Sequence, residues 1–216
     1  EYNREDIKLI SKIESQTGYD NLEEIIEVSD GIMVGRGDLG DEIQIGKLPM
    51  YQKNIVKRCR ETGKVVIVAT EMLDSMINNA RPTRAEVLDV ANAVLDGTDA
   101  VMLSGETTIG KYPKEVVKFM AEICRDTEEY YNYDKKFDSD RENTITEVIA
   151  NSVLSATEVL DAKLIVASTE TGETARCISN LKPECMILAC TPNESVARSL
   201  ALNYGVYSVI VPNNYN

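Results

Sequence analysis

Between residues 7 and 131 the chain repeats one pattern four times: a short, mainly apolar run, then a longer stretch with helical periodicity. "IKLISKI" precedes "YDNLEEIIEVS", where Asp20 and Glu23 have capping-box spacing. "GIMV" precedes "LPMYQKNIVKRCRETG", with Leu48, Tyr51, Ile55, Val56 and Cys59 on one helical face and Gly63 as a stop. "VVIVA" precedes "PTRAEVLDVANAVLDG", which opens with Thr83 and Glu86 at capping-box spacing, and "DAVML" precedes "YPKEVVKFMAEICRDTEEYY". Alternating strands and helices imply parallel pairing through right-handed crossovers. Two architectures satisfy this rhythm, an open doubly wound sheet and part of a (β/α) barrel.

The polar residues at the strand exits discriminate between them. The four runs end in "SKIES", "GRGDLG", "ATEMLDSM" and "LSGETT". In a barrel every strand delivers its carboxyl end to one site. In an open sheet only strands beside the switch point do so. Four polar exits out of four favour an α/β fold containing a portion of a parallel (β/α) barrel.

Residues 133–143, "YDKKFDSDREN", are almost wholly polar and read as a linker. Residues 1–132 then form a portion of a barrel, and 144–216 the beginning of a smaller α/β domain, incomplete at its end. That second part opens with "TITEVIANSVLSATEVL", a helix with another Thr-x-x-Glu cap and with Ile145, Val148, Ile149, Ala156 and Leu160 expected inward. "KLIVAS", "MILACT" and "YSVIVP" follow as strands.

Composition narrows the chemistry. A formal net charge of −13 argues against a nucleic-acid partner. No apolar run approaches the roughly 20 residues of a bilayer span, so no membrane role and a cytoplasmic location are expected. The chain has no histidine, which removes the commonest general base. Its five cysteines show no metal-type spacing and are expected as small buried thiols.

What remains at the strand exits is oxygen and nitrogen chemistry. Lys12 and Glu14 are two apart and share a strand face. Glu14 and Asp38, from adjacent strands, could hold a divalent metal, with Mg²⁺ or Mn²⁺ suited to paired carboxylates with open positions. Gly35 and Gly37 let an anion approach the backbone closely. Thr70 offers a hydroxyl at the third exit, and Ser104, Gly105, Glu106 and Thr107 lie at the fourth. A strand-end ion pair, a turn with a helix cap, and solvated Arg81 and Arg84 are the plainer readings of the same residues. Arg36 is expected to be structural, pairing with neighbouring carboxylates.

"KLISKIES", "DGIMVGRGDLG", "ATEMLDSM", "RPTRAEVLDVANAVLDGTDAVMLSGET" and "GKYPKEVVKFM" closely resemble the second half of the pyruvate kinase barrel. "VIANSVLSATEVLDAKLIVASTETGETAR" and "ILACTPNESVARSLALNYGVYSVIV" resemble that family's carboxy-terminal domain. The resemblance implies phosphoryl transfer from phosphoenolpyruvate to ADP, giving pyruvate and ATP. By resemblance, Glu14 and Asp38 bind the metal and Lys12 neutralises the transferring phosphoryl group. The backbone at Gly37 and Asp38 holds the substrate carboxylate, and Thr70 binds that carboxylate and lies beside the carbon that is protonated. Ser168, Thr169, Thr171, Gly172 and Thr174 fall on the family's effector loop. A K⁺ ion is expected for the family, with its site outside this chain. A homotetramer is implied, with Arg81–Glu86 near a subunit contact.

Departures from the family pattern are Gly35 for alanine, Glu71 for glutamine, and Glu173 where regulated members carry a basic residue. The first four barrel strands and the lid domain have no counterpart here. The chain is therefore expected to carry the metal and phosphoenolpyruvate half of the site and to show little or no turnover alone. The alternatives are a Mg²⁺-dependent aldolase or lyase acting through a pyruvate enolate, and a non-catalytic half-barrel interaction module.

Overall fold

The structure, a computed structural model, describes residues 7–131 and 144–212. Two compact units emerge, one of them Leu9–Tyr131 and the other containing the described residues from 144 onward. The linker expected over 133–143 lies outside the described residues.

In the first unit four strands, β1 (Ile10–Ile13), β2 (Gly31–Gly35), β3 (Val65–Ala69) and β4 (Ala100–Met102), form one sheet in sequence order. Every pairing is parallel, with Lys12 opposite Met33, Met33 opposite Ile67 and Ile67 opposite Ala100. Among the described residues the sheet is open, and β1 and β4 are its edges. The helices are α1 (Gln16–Asp20), α2 (Leu22–Val28), α3 (Arg36–Glu42), α4 (Leu48–Thr62), α5 (Arg84–Leu95), α6 (Gly105–Thr108) and α7 (Pro113–Glu128). Ile32, Val34, Val66 and Val68 from the sheet meet Ile26, Ile55, Val56, Val90, Val116 and Met120 from the helices in one core. Each such fully buried aliphatic side chain contributes about 1.5–3 kcal/mol. Burying one face of the sheet under helices holds its other face and its carboxyl ends in place.

Local signals set most of these boundaries. Gly63 ends α4 in the left-handed region at φ 70°, a conformation that costs glycine no Cβ clash. At α5 the Thr83 hydroxyl accepts the Glu86 N–H, and the Glu86 carboxylate accepts the Thr83 N–H at 2.7 Å, a complete capping box. The expected box at Asp20 and Glu23 does not form. Ser15 instead caps a helix that starts directly after β1, its hydroxyl accepting the Gly18 N–H at 3.0 Å, and Asn21 separates α1 from α2. An earlier cap took the turn that the later pair needed.

The second unit has three parallel strands in sequence order, β5 (Leu164–Ser168), β6 (Met186–Thr191) and β7 (Val206–Ile210). With them are α8 (Ile145–Leu160), α9 (Glu173–Asn180) and α10 (Glu194–Ser199). Ile165, Ala167, Ile187 and Ala189 form its core with Ala150, Ala175 and Ile178. The expected inward face of α8 is wrong. Ile145 is 82% and Leu160 74% exposed, with Val148, Ile149 and Ala156 exposed beside them. The covered stripe is Ala150, Val153, Leu154 and Thr157. Helix α8 is apolar on two sides, so periodicity alone could not select the face with the smaller side chains. Its Thr144–Glu147 capping box does form.

Among the cysteines only Cys59 is buried, while Cys124, Cys177, Cys185 and Cys190 are half-buried. Burial pushes the Cys59 thiol up to about 12 and the Cys124 thiol up to about 11. No helix among the described residues is long and apolar enough to cross a membrane.

Two outcomes follow from the caps and the core. Thr83→Ala should cost about 1 kcal/mol in urea unfolding. Burial opposes ionisation of Glu86, but hydrogen bonds from Ser75 and Thr83 outweigh it and leave its carboxyl below the usual range. The stability that Glu86 supplies is therefore present at neutral pH and is lost as pH falls through its depressed value, so Glu86→Gln should flatten the acid limb of the stability curve. Alkylation at pH 8.5 should label the half-buried cysteines well before Cys59, read by peptide mass mapping. Equal labelling of Cys59 would contradict the core described above.

Candidate active site

Parallel pairing brings the carboxyl ends of β1, β2, β3 and β4 to one edge of the first unit. On β1, Ile13 points into the helix-covered core, so Lys12 points to the opposite face, and Glu14 follows on that face. The Lys12 ammonium forms ion pairs with Glu14 and with Asp38 Oδ2, the latter at 3.3 Å. Asp38 lies in the first turn of α3, which starts directly at the end of β2. The sequence suggested a turn here, and the structure shows a helix beginning at Arg36.

Gly35 is what lets the lysine lie across β2. A Cβ at Gly35 would meet Lys12 Cε at 2.7 Å and Glu14 Cβ at 3.3 Å. The lysine end is flexible, so alanine there displaces Lys12 without breaking the strand. Pairing with Glu14 foremost, opposed by some burial and aided by Asp38, raises the Lys12 ammonium above its usual range. It stays charged throughout the neutral region. All three side chains are substantially solvated, at 40%, 43% and 70% for Lys12, Glu14 and Asp38. Exposed pairs of this kind contribute about 0–1 kcal/mol. Fold stability therefore gives little reason for gathering them at a strand exit.

The donor set suits a hard divalent cation. Two carboxylates converge on one positive charge, and Glu14 Oε2, which pairs with Lys12, is shielded from solvent. Mg²⁺ is commonly held by one or two carboxylates with water and substrate oxygens completing its shell. Among the described residues no group of three or more His, Cys, Asp or Glu side chains could hold a metal, so a cation here would rest on the pair.

Thr70 joins the site through α3. Its hydroxyl accepts the Gly37 N–H at 2.8 Å and donates to Ala69 O at 2.6 Å. Thr70 and Glu71 are both left-handed, at φ 68° and 51°. Arg36, with its side chain only 6% exposed, holds that loop. Its Nε and Nη2 donate to Thr70 O at 3.1 and 2.8 Å, and Nη2 also donates to Glu71 O at 2.9 Å. Its Nη1 pairs with Asp89 Oδ2 at 2.7 Å and donates to Gln52 Oε1 at 3.5 Å.

At the fourth exit, Glu106 is structural and buried to 1% exposure. Its carboxylate accepts the Leu73 N–H at 3.1 Å and the Ser104 N–H at 2.7 Å, tying the loop after β3 to the loop after β4. The Thr107 hydroxyl donates to Ser104 O at 3.3 Å, and the Ser104 hydroxyl oxygen is shielded without a hydrogen-bond partner among the described residues. Arg81 and Arg84 are exposed.

The structure thus gathers Lys12, Glu14 and Asp38, and links Thr70 to Gly37. Sequence reasoning missed the left-handed Thr70–Glu71 pair and the buried roles of Glu106 and Gln52. A carboxylate in "LSGET" with no nearby cation in sequence was the available sign for Glu106. In the second unit, Ser168 ends β5 in an exposed position. The Thr169 hydroxyl accepts the Gly172 N–H at 2.9 Å, Thr171 O accepts from Arg176 Nη2 at 2.8 Å, and Gly172 precedes α9, which contains Thr174.

Residues 1–117 match the family model for the pyruvate kinase barrel domain, and 147–216 that for the pyruvate kinase alpha/beta domain. The pyruvate kinase of Clostridium acetobutylicum is 50% identical over 210 residues, covering 95% of this chain and 44% of that protein. The enzyme of Bacillus licheniformis is 51% identical over 212 residues, covering 96% of this chain and 36% of that protein. A crystal structure of a pyruvate kinase from Cryptosporidium parvum superposes with a TM-score of 0.91 at 45% identity, covering 95% of this chain and 42% of that one. The chain therefore spans less than half the length of these relatives.

Glu106→Gln turns one amide-accepting oxygen into an NH₂ facing an N–H, and should destabilise the first unit by about 1–3 kcal/mol in urea unfolding. An unchanged midpoint would contradict the bridging role.

Proposed function

The chain belongs to the pyruvate kinase family, and from that premise we propose that its strand-exit cluster is the metal and phosphoenolpyruvate side of a phosphoryl-transfer site. The observation that carries the reading is the convergence of Glu14 and Asp38, from adjacent strand exits, on the single Lys12 ammonium. The proposed reaction moves the phosphoryl group of phosphoenolpyruvate to ADP, leaving the enolate that becomes pyruvate, as glycolysis requires.

Phosphoryl transfer is mainly a matter of positioning and electrostatic stabilisation. Lys12, held charged by Glu14, places its ammonium where the phosphoryl oxygens gather negative charge. Glu14 and Asp38 would hold Mg²⁺ or Mn²⁺. When bound, the cation neutralises charge and orients the substrate's oxygens. The first turn of α3 presents the Gly37 and Asp38 amides to the substrate carboxylate, with the Thr70 hydroxyl already at Gly37. Thr70 would also hold a proton near the carbon that receives one. Glu71 adds negative charge next to Thr70, which should weaken substrate affinity relative to a glutamine at that position.

The proposal extends to a cytoplasmic homotetramer in which K⁺ and most nucleotide contacts come from parts of the protein beyond these 216 residues. Covering less than half the length of its relatives, the chain alone should give little or no turnover. The domain division at 133–143 and the effector role of Ser168, Thr169, Thr171, Gly172 and Thr174 belong to the same reading.

Titration of the chain with Mn²⁺, followed by electron paramagnetic resonance, should reveal one site. Glu14→Gln and Asp38→Asn should each weaken it at least about tenfold, a loss of about 1.4 kcal/mol, while Glu173→Gln leaves it unchanged. Equal Mn²⁺ affinity in all four proteins would refute the reading. Pyruvate release from hydroxy-keto acids but not from phosphoenolpyruvate would favour an aldolase instead.

A further inference from the structure

Arg36 lies in the sequence of the site but outside its reach. Its side chain is buried, and each of its three guanidinium nitrogens is engaged by protein oxygens. It therefore neither meets a substrate nor neutralises one. What it does contact is unusual backbone. Among the described residues, Thr70 and Glu71 are the one consecutive non-glycine pair with positive φ. For a β-branched residue the left-handed region is a steric outlier that surrounding structure must impose. Arg36 donates to the carbonyls of both residues, and Asp89 and Gln52 fix the other end of the guanidinium to α5 and α4.

The left-handed turn has a consequence for the hydroxyl. It folds Thr70 Oγ1 back to within hydrogen-bond distance of its preceding carbonyl and of the Gly37 N–H in α3. We infer that Arg36 is a positioning residue, which holds the Thr70 and Glu71 carbonyls so that the Thr70 hydroxyl is delivered to the Gly37 amide where a ligand carboxylate binds. The last clause rests on the proposed function, but the delivery of the hydroxyl does not. In the free protein the Gly37 N–H is met by Thr70, so a carboxylate arriving there shares that N–H and takes the Thr70 hydroxyl as a second, pre-placed donor. The stiffness of the turn then sets how readily it does so.

The test uses the 216-residue chain. Amide hydrogen exchange is read at Gly37 and, as an internal reference, at Val68 in β3. Oxalate, a planar dicarboxylate probe, is titrated at saturating Mn²⁺. In Arg36→Lys, Gly37 should exchange about five- to tenfold faster, as expected for the loss of one hydrogen bond. Val68 exchange and Mn²⁺ affinity should be unchanged, and oxalate affinity should fall by a similar factor. Adding Glu71→Gly, which makes the left-handed turn intrinsically accessible, should restore much of the Gly37 protection. A purely structural tie would not be rescued in that way.

Unchanged Gly37 exchange in Arg36→Lys overturns the inference. So does a rise at Gly37 that Val68 matches and that Glu71→Gly fails to rescue. Should Arg36→Lys fail to fold, Asp89→Asn keeps the guanidinium but frees Nη1. It should speed Gly37 exchange about threefold, the lower range for one weakened hydrogen bond, and no change there also overturns the inference. If the unmodified chain binds no oxalate with Mn²⁺, the functional reading fails while the exchange measurements still decide the role of Arg36.

Discussion

The buried guanidinium of Arg36 is the interaction on which the site depends. It stands at the first position of α3, where β2 ends, and ties that exit to the loop leaving β3 and to two outer helices. Removing a charge of this kind from water is expensive unless its donors are met. Arg36 meets that requirement through backbone carbonyls in an uncommon conformation. The same contacts that satisfy its charge thereby position Thr70.

A contrast between two charged groups shows how this protein divides its electrostatics. Arg36 is dry and fully engaged, and it shapes the scaffold. Lys12, Glu14 and Asp38 are wet and loosely paired, and add little to stability. Such a pairing can be remade around a cation or an anionic substrate without unfolding anything. Glu106 belongs with Arg36, since its two oxygens are spent on backbone amides of two adjacent exits. Rigid ties underneath and exchangeable charges on top are what a site that binds metal and phosphate requires.

The sequence disclosed the parts of this arrangement that are local. Strand–helix alternation, the Thr83–Glu86 box, the Gly63 stop and the sharing of one face by Lys12 and Glu14 each rest on a few neighbouring residues, and all appear in the structure. Where local signals competed, reading failed. Ser15 pre-empted the Asp20–Glu23 cap, and α8 offered two apolar faces of which the one with smaller residues was covered. The hold of Arg36 on Thr70 and Glu71 was illegible for another reason. It spans 34 and 35 residues and targets main-chain carbonyls, which carry no side-chain signature. An arginine beside carboxylates suggested ion pairs, and only Asp89 met that expectation.

We propose that the strand exits of the first unit converge on one cation site. Paramagnetic broadening by substoichiometric Mn²⁺ in the nuclear magnetic resonance spectrum of the chain tests it most directly. Signals of Lys12, Glu14, Gly37, Asp38 and Thr70 should broaden first and together, ahead of those at the amino ends of β2 and β3. Broadening centred on the second unit, or spread evenly over the acidic surface, would contradict it.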